Sequence, residues 1–196
     1  MTETESAKTP RERYRAQVRA EVKERAWEQI ATAGASALSL NAIAKNMGMS
    51  GPALYRYFAS RDELITELVR DAYRSLADTF RAVAERSGRP DLAALAHALR
   101  DWALADPHRY FLVYGTPIPG YHAPEDTTVI TREIMAVLLA ALPESDAPPS
   151  PFDRALSFWT RTHGVLSLEL AGHFHGMDFD PAQLFASEVD GLRQES

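Results

Sequence analysis

The stretch Met47–Leu64, MGMSGPALYRYFASRDEL, decides how the rest of the chain is read. It sets a glycine, a serine and a proline just ahead of Tyr55, Arg56, Tyr57 and Phe58. A buried helix does not gather two phenols and a guanidinium, because their polar tips need water or partners. A solvated linker does not carry Leu54, Tyr57 and Phe58. The segment therefore reads as a rigid piece that packs on one side and shows polar tips on the other.

Its neighbours supply the frame. Ser39 stands where it caps a short helix carrying Leu40, Ile43, Ala44 and Met47. Gly48 ends that helix. Ser50 caps a second one, with Gly51 and Pro52 in its first turn, where proline is tolerated. Two short helices joined by a glycine turn form a helix-turn-helix. Ala44, Gly48 and Leu54 fall at i, i+4 and i+10. The first is small where the helices cross, the second permits a left-handed turn, and the third plugs a core completed by Ile43, Met47 and Phe58.

Working outward, the whole chain reads as all-α. Alanine and leucine abound, and apolar residues recur at spacings of three and four. Residues 1–10 are expected to be disordered. A helix from about Arg11 to Ala33 carries the stripe Val18, Val22, Ala26, Trp27 and Ile30, and Gly34 ends it. A longer one from Arg61 to about Arg86 carries Leu64, Leu68, Ala72, Leu76, Phe80 and Val83, until the break at Ser87 to Pro90. Further helices are expected at Asp91 to Ala105, from Asp106-Pro107 onward, at Val129 to Leu142, Phe152 to Phe174 and Ala182 to Leu192. The loops GTPIPGYHAPED and PESDAPPSP separate them. The reading divides the chain into an N-terminal arm with the helix-turn-helix, 1–60, and a larger helical part, 61–196.

Composition bounds the chemistry. A 45% hydrophobic share supports a sizeable core, and the absence of cysteine excludes disulfides, thiolate metal sites and cysteine nucleophiles. No stretch approaches the roughly 18 apolar residues of a membrane span, and the first 25 residues lack a signal-peptide apolar run. A cytoplasmic protein without membrane association is expected. Net charge is −6, but unevenly spread. Residues 1–60 hold 9 Lys+Arg against 6 Asp+Glu, and residues 61–196 hold 12 against 21. A basic end on an acidic body suits a chain that meets a polyanion with one end only.

With these residues in view, SLNAIAKNMGMSGPALYRYFASRDELI resembles the DNA-binding signature of the tetracycline-repressor (TetR) family of transcriptional regulators. Gly34, Ile43, Ala44, Gly48, Leu54, Tyr55, Tyr57, Phe58, Arg61, Leu64 and Ile65 carry the resemblance. Trp159, His163, Gly164, Glu169 and Gly172 are similar to the C-terminal subgroup named for its Trp-His-Gly signature. The resemblance implies a recognition helix in the major groove of double-stranded DNA, with Tyr55, Tyr57 and Arg61 on backbone phosphates. It also implies a homodimer formed by the last two long helices on a palindromic operator, and a small-molecule effector held among the middle helices.

Residue chemistry adds detail. Phosphate contacts need donors and positive charge and set register without reading sequence, and helix starts at Ser39 and Ser50 offer backbone N–H groups. Gly51, Pro52 and Ala53 face bases without hydrogen-bonding side chains, though Pro52 and Ala53 can pack on a thymine methyl. Arg56 is the side chain suited to bidentate contact with guanine. Asn41 and Lys45 stand where they reach bases or phosphates, and Arg11, Arg13 and Arg15 form either a minor-groove arm or a solvated helix start. For the effector, His97, Trp102, Tyr110, Tyr114, Tyr121, Met135, Trp159 and His163 offer aromatic walls with a few polar tips. The long helix from Phe152 is apolar over more than one stripe, so it needs two surfaces, one of them a partner's.

Two competing readings rest on other residues. A metal-dependent protein would use His163, His173, His175 and Asp178, with His122, Glu125 and Asp126 from a loop. His173 and His175 at i and i+2 point apart on a helix, and no phosphate loop, nucleophile elbow or cofactor motif is present, so neither an enzyme nor a bound cofactor or metal is expected. A helical small-molecule-binding protein that no longer engages DNA is the other; the intact Tyr55, Tyr57 and Arg61 speak against it.

Overall fold

A computed structural model describes residues 9–87, 91–142 and 148–194. The expected disordered start, the Gly-Arg-Pro break after residue 87 and the first part of the Pro/Ser loop fall largely outside the described residues. What is described is all-α. In chain order come α1 (Pro10–Ala33), a 3-10 turn (Ala35–Ala37), α2 (Leu40–Asn46), α3 (Gly51–Leu54), α4 (Arg61–Ser87), α5 (Leu92–Ala105), α6 (Pro107–Tyr114), α7 (Thr127–Ala141), α8 (Pro151–Leu170) and α9 (Pro181–Gln194). No described helix is long and apolar enough to cross a membrane.

Local chemistry sets the ends of these helices. Thr9 and Glu12 form a reciprocal capping box at the start of α1, and Ser150 and Asp153 do the same for α8. The turn after α2 is a Schellman motif: the Gly48 N–H donates to the Lys45 carbonyl at 3.2 Å and the Met49 N–H to that of Ala44 at 2.9 Å. Gly48 sits at φ +66°, the left-handed region that glycine occupies without strain.

The chain forms two compact units. Unit 1 comprises residues 1–68 with 117–122, and unit 2 comprises 69–116 with 123–196. Helix α4 contributes to unit 1 up to Leu68 and to unit 2 from Val69. In unit 1, Val18, Val22, Ala26 and Ile30 of α1 are buried with Leu38, Leu40, Ile43, Ala44, Leu54, Phe58, Leu64, Ile65 and Leu68. Of the residues read as core, Trp27 and Met47 stay half-buried. In unit 2 the core draws on every helix from α4 to α9, with Phe80, Leu99, Tyr110, Leu138, Phe158, Leu166 and Phe185 fully enclosed.

Two boundaries differ from expectation. Helix α8 ends at Leu170, and turns follow through Gly176, because Gly172 adopts φ +78° where its N–H bonds the Glu169 carbonyl. The helix α3 is a single turn. Beyond Leu54 the Tyr57 N–H reaches back only three residues, to the Leu54 carbonyl at 2.8 Å, so Tyr55 to Tyr57 sit in a tightened turn rather than on the helix.

Candidate nucleic-acid interface and effector cavity

In unit 1 the polar tips cluster on α2, α3 and the turn after it. Asn41, Lys45, Ser50, Pro52, Tyr55 and Arg56 are exposed, while Gly51, Ala53 and Tyr57 are half-buried. Among the described residues no protein group takes a hydrogen bond or ion pair from the Tyr55 hydroxyl, the Lys45 ammonium or the Arg56 guanidinium. Gly51 lies against Asn41, such that a Cβ there would stand 3.4 Å from its Oδ1. The serines act as caps: the Ser39 Oγ accepts from the Ala42 N–H and the Ser50 Oγ from the Ala53 N–H, each at 3.3 Å. Pro52 has no N–H, so Gly51 supplies the free backbone donor at the start of α3.

Three arginines hold this segment from behind. The Arg61 Nε donates to the Leu38 carbonyl at 3.1 Å, and its Nη2 to those of Ala35 and Ser36 at 3.0 and 3.1 Å. Expected on a phosphate, this guanidinium instead staples the 3-10 turn that leads into α2. Arg15 donates to the Arg56 carbonyl at 3.3 Å, and Arg19 to that of Tyr57. Arg19 also stacks on Phe58 at 4.1 Å and pairs with Glu63 at 3.6 Å and Glu67 at 3.3 Å. These contacts place positive charge at the carbonyl end of the α3 turn, where backbone dipoles favour it. Beside them Arg11, Tyr14, Arg15, Arg56 and Tyr57 line an open basic hollow of about 230 Å³. Arg13 is exposed on the same helix end.

Unit 2 holds a smaller cavity of about 180 Å³, lined by Tyr73, Tyr114, Thr131, Ile134, Met135 and Trp159. Behind this wall His163 packs its ring on Tyr114 and Trp159, with centroids 4.3 and 4.4 Å away. The Tyr110 hydroxyl meets His163 Nδ1 at 3.0 Å and its carbonyl at 3.3 Å. A proton on Nδ1 satisfies both contacts, since the hydroxyl then accepts from the ring and donates to the carbonyl. Burial lowers the His163 pKa to about 4 and raises that of Tyr110 to about 12. Burial first, then the neighbouring phenols Tyr73 and Tyr110, push Tyr114 well up. The imidazole is thus neutral at ordinary pH. The Tyr114 hydroxyl and His163 Nε2 are buried without a hydrogen-bond partner.

Of the residues expected at an effector, Tyr114, Met135 and Trp159 line the cavity, and Tyr110 and His163 back it. The other three stand elsewhere. His97 lies on the exposed face of α5, opposite Leu95, Ala96 and Leu99. Trp102 is buried, but its indole N–H donates to Ser75 Oγ at 3.1 Å and its ring faces the Arg109 guanidinium. Tyr121 belongs to unit 1, its hydroxyl 3.2 Å from Thr66 Oγ1. Among the described residues no group of three or more His, Asp or Glu could hold a metal ion.

Comparison with known proteins assigns the chain. Residues 24–68 match the model for bacterial regulatory proteins of the tetR family, and residues 92–192 match the tetracyclin repressor-like C-terminal domain. The chain belongs to the TetR family. The HTH-type transcriptional regulator Rv1816 of Mycobacterium tuberculosis is 36% identical over 212 residues, spanning 89% of this chain and 90% of that protein. The HTH-type transcriptional regulator Mb1846 of Mycobacterium bovis gives the same figures. The crystal structure of regulatory protein SCO4313 is 63% identical and superposes with a TM-score of 0.87 over 94% of this chain and 98% of that one.

This TetR-family member is a DNA-binding transcriptional regulator. The N-terminal match spans α2, α3 and the first turns of α4, and the C-terminal match runs from α5 into α9, through Trp159, His163 and Gly164. Some residues of the regulator escaped the sequence reading. Arg19 sits one place from the buried Val18 with no pattern to mark it as a clamp. Tyr73 and Thr131 flank the buried stripes of α4 and α7, and a phenol beside Ala72 was the one available signal.

Proposed function

We propose that this TetR-family regulator is a cytoplasmic homodimeric repressor that leaves a palindromic operator when a small molecule occupies unit 2. The observation that carries the reading is the unpartnered polar face of α2, α3 and the following turn. Arg56 supplies a bidentate guanidinium for a guanine edge, and Lys45 and Asn41 flank it. The hydroxyls of Tyr55 and Tyr57 and the Gly51 N–H serve backbone phosphates, which fix register. Arg61, with its donors on three carbonyls, positions α2 instead of touching DNA. Arg11 and Arg15 extend the basic surface.

A second observation supports the dimer. Along α8, Phe152, Leu156, Thr160, Gly164 and Leu168 recur every fourth residue and are exposed, with no charge among them. Such a face asks for an apolar partner, and a two-fold copy of itself provides one. Two recognition segments then meet half-sites about 34–36 Å, or a multiple, apart. Release is a population shift: the effector binds more tightly to conformers whose recognition segments are wrongly spaced. Helix α4, common to both units, is the stretch of chain through which that coupling would run.

Selection of binders from a pool of random duplexes tests the reading, with the mass of the complex measured on the recovered sequence. A palindrome bound by two chains is the expected result. A single half-site bound by one chain removes the dimer, and no enrichment at all removes sequence reading.

A further inference from the structure

The stripe that buries Val18, Val22 and Ala26 continues toward the start of α1 at the same spacing, through Arg15, Tyr14 and Arg11, all exposed. About two turns of helix thus reach past the unit 1 core, with guanidiniums and a phenol on the face that is apolar further along. The Thr9–Glu12 capping box holds these turns helical. Together with Arg56 and Tyr57, from the turn after α3, they line the open basic hollow. Three guanidiniums converge there, and no carboxylate is part of the wall. Elsewhere Arg19, Arg70, Arg74 and Arg100 each pair with a carboxylate; among the described residues Arg11, Arg15 and Arg56 do not. Like charges gathered without a counter-charge repel, and an anion shared among them removes that penalty. Arg15 is aimed by the Arg56 carbonyl at 3.3 Å and lies 5.9 Å from the centre of the Tyr57 ring, which leaves further N–H groups for a ligand. Tyr14 is 63% exposed, and among the described residues its hydroxyl has no hydrogen-bond partner.

We infer that this hollow seats one phosphate of the duplex backbone, held by Arg11, Arg15 and the hydroxyls of Tyr14 and Tyr57; the inference rests on the operator reading above. The hollow is continuous with the recognition turn through Arg56 and Tyr57, so a duplex lying on that turn covers it. Arg56 adds charge to the hollow, while its donors stay assigned to a base. Tyr14 becomes a DNA contact, and the start of α1 a rigid phosphate clamp in place of a minor-groove arm. The two differ in what they read: a phosphate seat adds affinity without regard to sequence, whereas an arm in the minor groove separates A·T from G·C pairs.

The test compares the full natural chain with Arg11→Gln and Tyr14→Phe, both at exposed positions, so circular dichroism should show them folded. Tyr14→Phe should weaken duplex binding about 5- to 10-fold, the loss of one hydrogen bond, with the salt dependence kept. Arg11→Gln should lower the slope of log affinity against log salt by about one for each chain bound. Both losses should be equal on duplexes of changed base sequence. Duplexes carrying a single uncharged methylphosphonate, moved along each strand, should reveal one position that weakens the natural chain and costs the two variants less. A loss that follows A·T content overturns the inference in favour of a minor-groove arm. Methylphosphonates that weaken the variants as much as the natural chain at every position overturn it too. So does inorganic phosphate, at constant ionic strength, that binds the natural chain and not Arg11→Gln while no methylphosphonate position separates them, because the hollow then serves a small anion. An unselected duplex at low salt separates this inference from the operator reading. Variants that weaken its binding when no palindrome is selected leave the seat standing without the operator. Variants that bind a selected palindrome as the natural chain does leave the operator standing without the seat.

Discussion

At the scale of single residues, two side chains have opposite relations to water. Arg56 is exposed and unpaired among the described residues, so its guanidinium is available to a base. Arg56→Ala should cost about 1–3 kcal/mol of DNA affinity and erase discrimination at one base pair per half-site. Affinities for duplexes with single base-pair changes would show this; an equal loss on every duplex would make Arg56 a phosphate contact. His163 is largely buried and neutral, its pKa lowered from 6.5 to about 4. As pH falls below about 6.5 the unfolded chain takes a proton there that the folded chain refuses until about 4. Stability should therefore be flat above that window and fall through it, by ~3 kcal/mol in all at about 1.4 kcal/mol per pH unit. His163→Phe should remove this part of the slope, which urea unfolding at several pH values would reveal. How far such residues were legible depended on what marked them. Tyr114, Met135 and Trp159 stood out as large side chains in the middle helices. His97 has the chemistry of a ligand contact but stands off the Leu92, Leu95 and Leu99 face of α5, a placement that only helical periodicity discloses. Arg61 looked like a phosphate ligand by motif position, and only the geometry reveals the carbonyls that occupy it.

At the scale of elements, the turn between α2 and α3 fixes the angle at which the recognition segment is shown. Its Schellman pairing needs a residue at φ +66°, and Gly48 provides it without the Cβ clash that other residues meet. Gly48→Ala should destabilise the chain by ~1 kcal/mol, read as a lower thermal midpoint. An unchanged midpoint would mean the turn relaxes into another form. This element was readable from capping serines, a glycine and three spaced core residues, because turn chemistry is local. The length of α3 was not. Its capped start was readable, but the Arg15 and Arg19 clamps beyond its end come from a helix far away in sequence. The 3-10 turn Ala35–Ala37 likewise depends on Arg61, which no local pattern discloses.

At the scale of the whole molecule, charge and apolar surface divide the labour. The exposed stripe of α8 is the surface on which two chains are expected to join. Introducing glutamates through Leu156→Glu and Leu168→Glu should give monomers that stay helical, since both positions are exposed in the single chain; sedimentation together with circular dichroism would tell. Dimers persisting in that variant would move the interface elsewhere. The all-α class was legible from periodicity, whereas the ends of α3 and α8 and the 3-10 turn were not, and the proposed dimer rests on an excess of apolar positions on one helix. The central claim is that a chain of net charge −6 grips a polyanion through the basic face of unit 1. The measurement that tests it most directly is affinity for the selected duplex across salt concentrations, for the natural chain and for Arg56→Ala. With about 6–10 phosphate contacts, affinity should fall some 10³–10⁵-fold between about 50 and 200 mM salt, and the variant should show the same slope at a lower affinity. An affinity indifferent to salt would contradict the account.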